Sequence, residues 1–215
     1  MKLSSEEKKE KEELSEQEES IIHVLNSALD KPELRVTGIY GDINEEKCSE
    51  TVWGLLALHE TGKKYFKEEV SDELVEEYTP IDFYISSYGG SAAEMFSVYD
   101  VIRSLRDRTP VKTYGVGKVM SAGVLLLASG TKGERRIGKH CRVMIHGVIS
   151  GQHGHIADVK NEFEETKVTQ KLYIDALAEE TNMTRAYIKR LMNRKTNVYM
   201  DAQEAVELGI ADIVF

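Results

Sequence analysis

The chain has 215 residues, which is enough for one sizeable domain with a hydrophobic core. Hydrophobic residues make up 41% of it and charged residues 30%, a composition typical of a soluble globular protein. The formal net charge of −9 argues against nucleic acid as a partner, because binding to phosphates depends on clustered Lys and Arg. No apolar run approaches the ~18 residues that a membrane-spanning helix needs, and the charged N-terminus is unlike a secretory signal.

The two cysteines, Cys48 and Cys141, lie far apart in the sequence and form no CxxC pattern. Such spacing is typical of buried or incidental thiols in a reducing compartment. Together with the composition, it predicts a cytoplasmic protein with no membrane partner.

The first 30 residues are predicted to form a charged arm, either disordered or a solvated helix. Met1–Ser20 hold eight Glu and four Lys and almost nothing apolar, so they bury too little surface to offset the entropy of ordering. Apolar residues at helical spacing follow from Ile21 to Leu29. The compact domain is predicted to cover residues 31–215.

Strands and helices alternate along this domain, which predicts an α/β fold. A strand begins near Leu34, and a helix follows over about Glu45–His59. Residues 62–80 are predicted to be an acidic, exposed insertion, for which an extension of the helix stays open. The next predicted elements are a strand over Ile81–Ser87, a helix over Ala92–Leu105, a strand in PVKTYGVG and a short apolar helix over Ser121–Ser129.

The second half of the domain begins with a strand in CRVMIHG, which ends at His146. A polar, hairpin-like segment, GVISGQHGHI, leads into a long helix over Ile156–Glu180. At 1.5 Å per residue this helix is roughly 37 Å long, more than a small domain needs for its own core, which is typical of helices used in assembly. A last short helix, Ala202–Leu208, follows Asp201, which has capping-box spacing with Glu204.

Ser121 is the first candidate for chemistry. In YGVGKVMSAGVLLLASG it stands where a glycine-bearing turn enters an apolar helix, with Ala122 and Gly123 directly after it. A hydroxyl there lies among unpaired backbone N–H groups at the positive end of the helix dipole, which favours the oxyanion formed in acyl transfer. The alternative is structural, because Ser is a common N-cap residue.

Two further stretches hold candidates. In SSYGGSAAE, a Gly-Gly pair at a strand-to-helix turn lets backbone N–H groups approach a ligand, although an ordinary tight turn has the same residues. In RVMIHG, His146 is either a general base or a hydrogen-bonded structural residue. His140, His153 and His155 lie in charged or glycine-rich segments. A metal at His153 and His155 is disfavoured because no further Cys or His accompanies them, so no metal or other cofactor is predicted.

The order of these motifs along the chain is more informative than any one of them. The segments YISSYGG, VMSAGVLLLASGTKGERR, CRVMIHG and DAQEAVELGIAD resemble, in order, the signature stretches of the ClpP caseinolytic peptidase family. The resemblance covers about Leu34 to Asp212, interrupted by residues 62–80. It implies a crotonase/ClpP-like α/β spiral of strand–strand–helix units with a protruding handle helix, in a region of about residues 150–180.

The resemblance also implies roles for individual residues. Ser121 corresponds to the family's nucleophile and His146 to its general base, while Gly90 and Ala122 occupy the positions whose backbone N–H groups form the oxyanion hole. It implies an ATP-independent serine endopeptidase that cuts unfolded polypeptides to short peptides. Such subunits form heptameric rings, usually two stacked face to face, and an AAA+ unfoldase supplies the substrate.

The sequence departs from the family's pattern at the third member of the catalytic triad. Where the family has an Asp, this chain has Asn197 in TNVYMDA. An amide oxygen can accept the Nδ1–H of His146 and hold the ring, but it carries no charge to stabilise the imidazolium. Asp201 is an alternative third member, although its position favours the N-cap of the last helix. We therefore expect a weakened or partner-dependent site in which Asn197 orients His146.

Other departures concern the surroundings of the site. Tyr88 stands where the family has Pro in its SPGG turn, so the backbone on the substrate side is expected to differ. Lys195 and Thr196 replace an acidic residue and an Arg that link the two rings, which puts ring stacking in doubt. The charged arm lacks the apolar loop with which family members contact an unfoldase.

The sequence leaves two other functions open. A non-catalytic structural subunit of a mixed ring is suggested by Asn197 and the altered turn. A crotonase-type acyl-CoA enzyme also uses two backbone N–H groups for an oxyanion, but it gives no reason for Ser121 and His146 to coincide.

Overall fold

The computed structural model describes residues 19–21, 23, 34–67, 74–194 and 196–215. Residues 19–21 and 23 are helical and exposed. The rest of the predicted charged arm, most of the predicted helical stretch from Ile21 to Leu29, and the predicted boundary at residue 30 lie outside the described residues.

Helices and strands alternate through the described part of the chain. The strands are β1 (Val36–Ile43), β2 (Lys63–Lys67), β3 (Leu74–Tyr78), β4 (Ile81–Gly90), β5 (Val111–Met120), β6 (Arg136–Ile137), β7 (Arg142–Ile145), β8 (Val198–Met200) and β9 (Ile213–Val214). The helices are α1 (Glu45–Thr61), α2 (Ala92–Leu105), α3 (Ala122–Ala128), α4 (Ile156–Glu180), α5 (Arg185–Met192) and α6 (Ala202–Glu207). Of the helices in the described ranges, none is long and apolar enough to cross a membrane.

The central sheet has seven strands, and its main path runs β1-β4-β5-β6-β9. Neighbours on this path are parallel, β7 also pairs in parallel with β5, and β8 pairs antiparallel with β7. Parallel strands joined through helices are the pattern of an α/β domain, so the predicted fold class is confirmed. Because β4 and β5 are parallel neighbours, the turns that follow them meet at the same edge of the sheet.

Apolar side chains of the central strands and of α3 form the core. Ile81, Phe83 and Ile85 alternate along β4 and are fully buried. All seven residues of α3, AGVLLLA, are buried, because this helix packs against β4, β5 and α2. A helix that is apolar on every side has no face for solvent, so α3 is held tightly at the sheet edge.

The predicted insertion at residues 62–80 contains a separate antiparallel hairpin formed by β2 and β3. The alternative prediction, that the helix extends into this region, is therefore wrong for residues 63–67 and 74–78. The aromatic residues of the two strands favour extended structure. Tyr78 at the end of β3 stacks on His59 of α1, with ring centroids 4.6 Å apart. His59 Nδ1 in turn lies 2.7 Å from Thr109 Oγ1. These contacts fix the base of the hairpin against the domain.

The segment between β7 and α4, residues 146–155, contains no strand. The hairpin-like structure predicted for it is therefore wrong. Gly151 and Gly154 interrupt the segment, and glycine weakens strand pairing because it offers no side chain to pack and loses more entropy on ordering. The chain instead passes from His146 to the start of α4 as irregular backbone.

The long helix α4 protrudes from the domain, as expected of the predicted handle helix. Ile156 and Phe163 in its first half are 77% and 56% exposed. The buried residues of α4 all lie in its last third, and they are Tyr173, Ile174, Ala176, Leu177 and Glu180.

The end of α4 is fixed by Glu180, whose side chain is 1% exposed. Its Oε1 accepts hydrogen bonds from the Tyr99 hydroxyl at 3.1 Å and from Arg103 at 3.0 Å. Its Oε2 accepts from Arg106 at 2.8 Å, and Lys132 Nζ lies 3.3 Å from it. Burial opposes ionisation, but the hydrogen bond and charge of Arg106 outweigh it, so the pKa of Glu180 lies below its ordinary value. The ionised carboxylate ties α4 to α2 and to the segment after α3.

Replacing Glu180 by Gln is expected to lower the free energy of unfolding by about 2–4 kcal/mol at neutral pH, because the largely buried Arg106 and its neighbouring cations lose their charged partner. Since the folded pKa lies below the ordinary value of 4.5, ionised Glu180 stabilises the fold above that pH. The stabilisation is lost as the pH falls through the folded pKa. Denaturant unfolding should therefore be measured at a series of decreasing pH values. The difference in the free energy of unfolding between wild type and Glu180→Gln should become smaller as the pH falls.

Glu179→Gln is the matched control. Glu179 precedes Glu180, is 53% exposed and pairs with Arg103 at 3.1 Å. Exposed pairs contribute about 0–1 kcal/mol, so this substitution should change stability little. Equal losses in the two variants, or a difference that does not vary with pH, would contradict the role assigned to the buried carboxylate.

Candidate active site

Ser121 occupies a sharp turn in which a single residue joins β5 to α3. Its φ and ψ are 52° and −121°, and among the described residues it is the one residue other than glycine with a positive φ. Such a conformation costs about 1–3 kcal/mol and persists only where the surroundings enforce it. A serine on a strained strand-to-helix turn is the arrangement of the nucleophile elbow in α/β-hydrolases.

Hydrogen bonds to both backbone groups of Ser121 hold this conformation. Its N–H donates to Met144 O of β7 at 2.7 Å. Its C=O accepts from the Val124 N–H at 3.0 Å and from the Tyr173 hydroxyl at 2.8 Å. Ser121 is at the N-cap position of α3, but its side chain makes no capping hydrogen bond, so capping does not occupy the hydroxyl.

Gly89 and Gly90 are the last two residues of β4, and Gly89 packs directly against Ser121. Gly89 has a φ of 101°, and a Cβ there would lie 2.6 Å from Ser121 Cβ. Gly90 has a φ of 154°, and a Cβ there would lie 2.2 Å from Ile43 O. Neither position has room for a side chain. Gly89 is therefore needed for the close approach of β4 to Ser121, and Gly90 for the close approach of β4 to Ile43 of β1.

One cavity of about 340 Å³ brings together Ser121, His146, Gly90 and Ala122. Ala122 is the first residue of α3, where backbone N–H groups have no acceptor within the helix. The positive end of the helix dipole lies at the same place. The cavity therefore joins an alcohol, an imidazole and a helix N-terminus that favours negative charge.

His146 follows the last residue of β7, and its Nδ1 lies 2.5 Å from Gly147 O. A carbonyl oxygen can only accept, so Nδ1 carries the proton, and Nε2 of the neutral ring is left as an acceptor. This is the tautomer that a general base for a serine requires. Within the described residues, no hydrogen bond joins His146 to the Ser121 hydroxyl in this arrangement.

Asn197 lies just before β8, next to His146 in the sheet register. Ile145 of β7 pairs with Val198 of β8, so one further step along this antiparallel pair places Asn197 opposite His146. Asn197 is exposed and lines a second cavity of about 530 Å³, which shares His146 with the first. In the described part of the chain, Gly147 O rather than Asn197 bonds to Nδ1 of His146.

Asp201, the alternative third member of the triad, is the N-cap residue of α6. Its carboxylate accepts from the Glu204 N–H at 2.9 Å, and the Glu204 side chain accepts from the Asp201 N–H at 2.8 Å. The predicted capping box at the start of α6 is therefore confirmed.

The other candidate residues lie away from this cavity. His140, His153 and His155 are exposed. Across the ranges that the structure describes, no group of three or more His, Cys, Asp or Glu side chains could hold a metal ion. Cys48 and Cys141 are buried, and burial raises the pKa of each thiol to about 11, so neither is a thiolate at neutral pH.

Residues at which the sequence departs from the family pattern also lie around these cavities, together with one residue that the sequence did not identify. Tyr88 lines the cavity, and Lys118 Nζ lies 4.5 Å from the centre of its ring. Thr196 lines the second cavity, while Lys195 lies outside the described residues. Tyr173 was missed, because helical periodicity identifies it as a buried position of α4 but says nothing of what its hydroxyl reaches.

Serine hydrolases carry these groups together: an alcohol on a strained turn, an imidazole that can accept its proton, and amides at a helix N-terminus. Comparison with known proteins narrows this class to a family. A model of the Clp protease family matches residues 16–215.

Two relatives are both called ATP-dependent Clp protease proteolytic subunit 1. The one from Prochlorococcus marinus strain MIT 9312 is 30% identical over 180 residues, which cover 84% of this chain and 89% of that protein. The one from Prochlorococcus marinus subsp. pastoris is 34% identical over 134 residues, which cover 62% of this chain and 66% of that protein, just under two thirds of its length.

The chain belongs to the Clp protease family, a family of serine-type peptidases with the ClpP/crotonase-like fold. The match confirms the family and the fold class that the sequence predicts, and it confirms the predicted class of enzyme.

Gly89→Ala is expected to lower the reactivity of Ser121 at least about tenfold, because the added Cβ displaces the Ser121 Cβ that it would meet at 2.6 Å. The rate of labelling by a fluorophosphonate probe measures this reactivity. Gly133→Ala is the matched control: Gly133 also has a positive φ, of 86°, but a Cβ there meets nothing within 4 Å. Equal labelling rates in the two variants would contradict the close packing described here.

Proposed function

We propose that this chain is the proteolytic subunit of a self-compartmentalised Clp peptidase that hydrolyses unfolded polypeptides to short peptides. The observation that carries the proposal is the shared cavity, in which Ser121, His146, Gly90 and Ala122 lie together. Both relatives are named as proteolytic subunits, which supports the same role for this chain.

In the proposed reaction, Ser121 is the nucleophile and His146 the general base. His146 Nε2 takes the proton of the Ser121 hydroxyl as Oγ attacks the carbonyl carbon of the peptide bond. The N–H groups of Gly90 and Ala122 stabilise the oxyanion of the tetrahedral intermediate. The imidazolium then gives its proton to the leaving amine, and water releases the acyl group by the same steps in reverse.

The proposed third member is Asn197, which orients His146 from the neighbouring strand. Gly147 O accepts the hydrogen bond from the Nδ1–H of His146 in the arrangement described above. When the ring turns toward Ser121, the amide oxygen of Asn197 accepts this hydrogen bond instead. Neither oxygen is charged, so the imidazolium gains less stabilisation than a carboxylate gives. We therefore propose a peptidase that is slower than one with an Asp at this position.

The proposed assembly is a heptameric ring of this chain, with two rings stacked as a further option. The exposed apolar side chains in the first half of α4, among them Ile156 and Phe163, support contact with a second copy. The words "ATP-dependent" in the relatives' names support supply of substrate by a separate AAA+ unfoldase. A cytoplasmic location fits this role and remains part of the proposal.

The second candidate function is a structural subunit without activity in a mixed ring. Asn197 in place of an Asp and the missing Ser121–His146 hydrogen bond favour it. An acyl-CoA enzyme of crotonase type is not supported, because the family match is to peptidases.

A fluorophosphonate probe is expected to label the wild type and to leave Ser121→Ala unlabelled, because only an activated alcohol reacts with it. Ser91→Ala is the control, since Ser91 lines the same cavity but accepts a capping hydrogen bond from Glu94 N–H at 3.4 Å. Native mass should be determined with labelling measured on each oligomer. Absence of labelling in every assembly state would favour the structural subunit.

Asn197→Asp is expected to raise kcat for a fluorogenic peptide about tenfold or more, because a carboxylate stabilises the imidazolium and the same exchange in a trypsin-type triad is worth about 10⁴. Asn197→Ala should lower kcat if the amide orients His146. An unchanged kcat in both variants would show that Gly147 O alone holds the ring.

A further inference from the structure

Tyr173 is the side chain that connects α4 to the backbone of the nucleophile. Its hydroxyl donates to Ser121 O at 2.8 Å, and Tyr173 is one of the residues that line the cavity that holds Ser121 and His146. The side chain is buried, with 5% of the residue exposed. No role for this hydroxyl follows from the reaction proposed above.

The oxygen that Tyr173 contacts belongs to the same peptide group as the Ala122 N–H. A peptide group is planar and trans, so its C=O and N–H point in opposite directions. A hydrogen bond that fixes the direction of Ser121 C=O therefore also fixes the direction of the Ala122 N–H. This N–H is one of the two donors proposed for the oxyanion.

A donor at the carbonyl also makes the amide a stronger hydrogen-bond donor, because bonds in a chain polarise one another. Val124 N–H donates to the same Ser121 oxygen at 3.0 Å. Tyr173 adds the second of these donors. Burial raises the pKa of the Tyr173 hydroxyl above its ordinary value, so it keeps its proton and remains a donor through the neutral range.

We propose that Tyr173 is a positioning residue for the oxyanion hole, acting through the Ser121–Ala122 peptide group. The proposal rests on the proposed peptidase function. Because Tyr173 is on the protruding helix α4, the direction of the Ala122 N–H depends on the position of that helix. A displacement of α4 then changes the stabilisation of the transition state and leaves substrate binding in place.

Tyr173→Phe removes only the hydroxyl. It is expected to lower kcat for a fluorogenic peptide about 5- to 20-fold with KM unchanged, because the oxyanion exists only in the transition state and the intermediate. The affinity for a peptide boronate, whose tetrahedral adduct presents an oxyanion, should fall by a similar factor. Binding of a product peptide to the two proteins should be equal.

Tyr99→Phe is the matched control. Tyr99 is also buried, and its hydroxyl donates to Glu180 Oε1 at 3.1 Å, away from Ser121. It should lower thermal stability while kcat of the folded protein stays at the wild-type value. Equal changes of kcat in the two variants would assign the effect of Tyr173 to general stability and overturn the proposal.

Failure of the peptidase function and failure of this proposal give different results. A wild type that neither cleaves peptide nor reacts with the fluorophosphonate contradicts the peptidase function. A wild type that is active, with Tyr173→Phe equal to it in kcat and in boronate affinity, contradicts the role of Tyr173 alone.

If Tyr173→Phe does not fold, 3,5-difluorotyrosine at position 173 provides the test, because it keeps the phenol hydroxyl in the same place on the ring. Fluorination lowers the pKa of the phenol, and an ionised phenol cannot donate to Ser121 O. Activity should then fall toward alkaline pH at a lower pH than in the wild type. Identical alkaline limbs in the two pH profiles would overturn the proposal.

Discussion

The backbone conformation of Ser121 is the constraint on which the rest of the cavity depends. The hydroxyl faces the cavity because the chain turns from strand to helix within one residue, at a φ of 52° that serine rarely adopts. Three separate parts of the fold enforce the turn. Met144 O of β7 accepts a hydrogen bond from the Ser121 N–H, and the Tyr173 hydroxyl donates one to the Ser121 C=O. Gly89, which has no side chain, leaves the space that the Ser121 Cβ occupies. Since these parts are distant in sequence, the strained turn can form only in the folded domain.

The last third of α4 connects the stability of the domain with the geometry of the site. Glu180 fixes the end of this helix to α2 through buried hydrogen bonds. Tyr173 lies two turns earlier, about 10 Å along the axis. A helix end held by a buried carboxylate is a rigid support for a hydroxyl that must remain in contact with Ser121.

The parts of the fold and site that the sequence predicts are those carried by local patterns. Alternating apolar residues and capping residues predict the strands and helices. The ends of β4 and β5 mark Gly90 and Ser121 as candidates, and the family resemblance is what implies their roles. The β2–β3 hairpin could not be predicted, because the many charges of its strands obscure the preference of their aromatic residues for extended structure. The contact between Tyr173 and Ser121 joins positions 52 residues apart, and no local pattern reports which buried hydroxyl reaches which carbonyl.

The acceptor at Nδ1 of His146 determines how this site differs from a triad with a charged third member. Gly147 O follows His146 in the chain, so it is available at Nδ1 without help from another strand. Asn197 is placed by the pairing of β8 with β7, and its amide oxygen is the second acceptor in the proposed site. In the proposed mechanism, two neutral acceptors let the ring keep its Nδ1 proton hydrogen-bonded while Nε2 turns toward the Ser121 hydroxyl. In the proposed triad, the exchange of a carboxylate for an amide therefore removes the electrostatic part of the third member's contribution and leaves the orienting part, which depends on strand register.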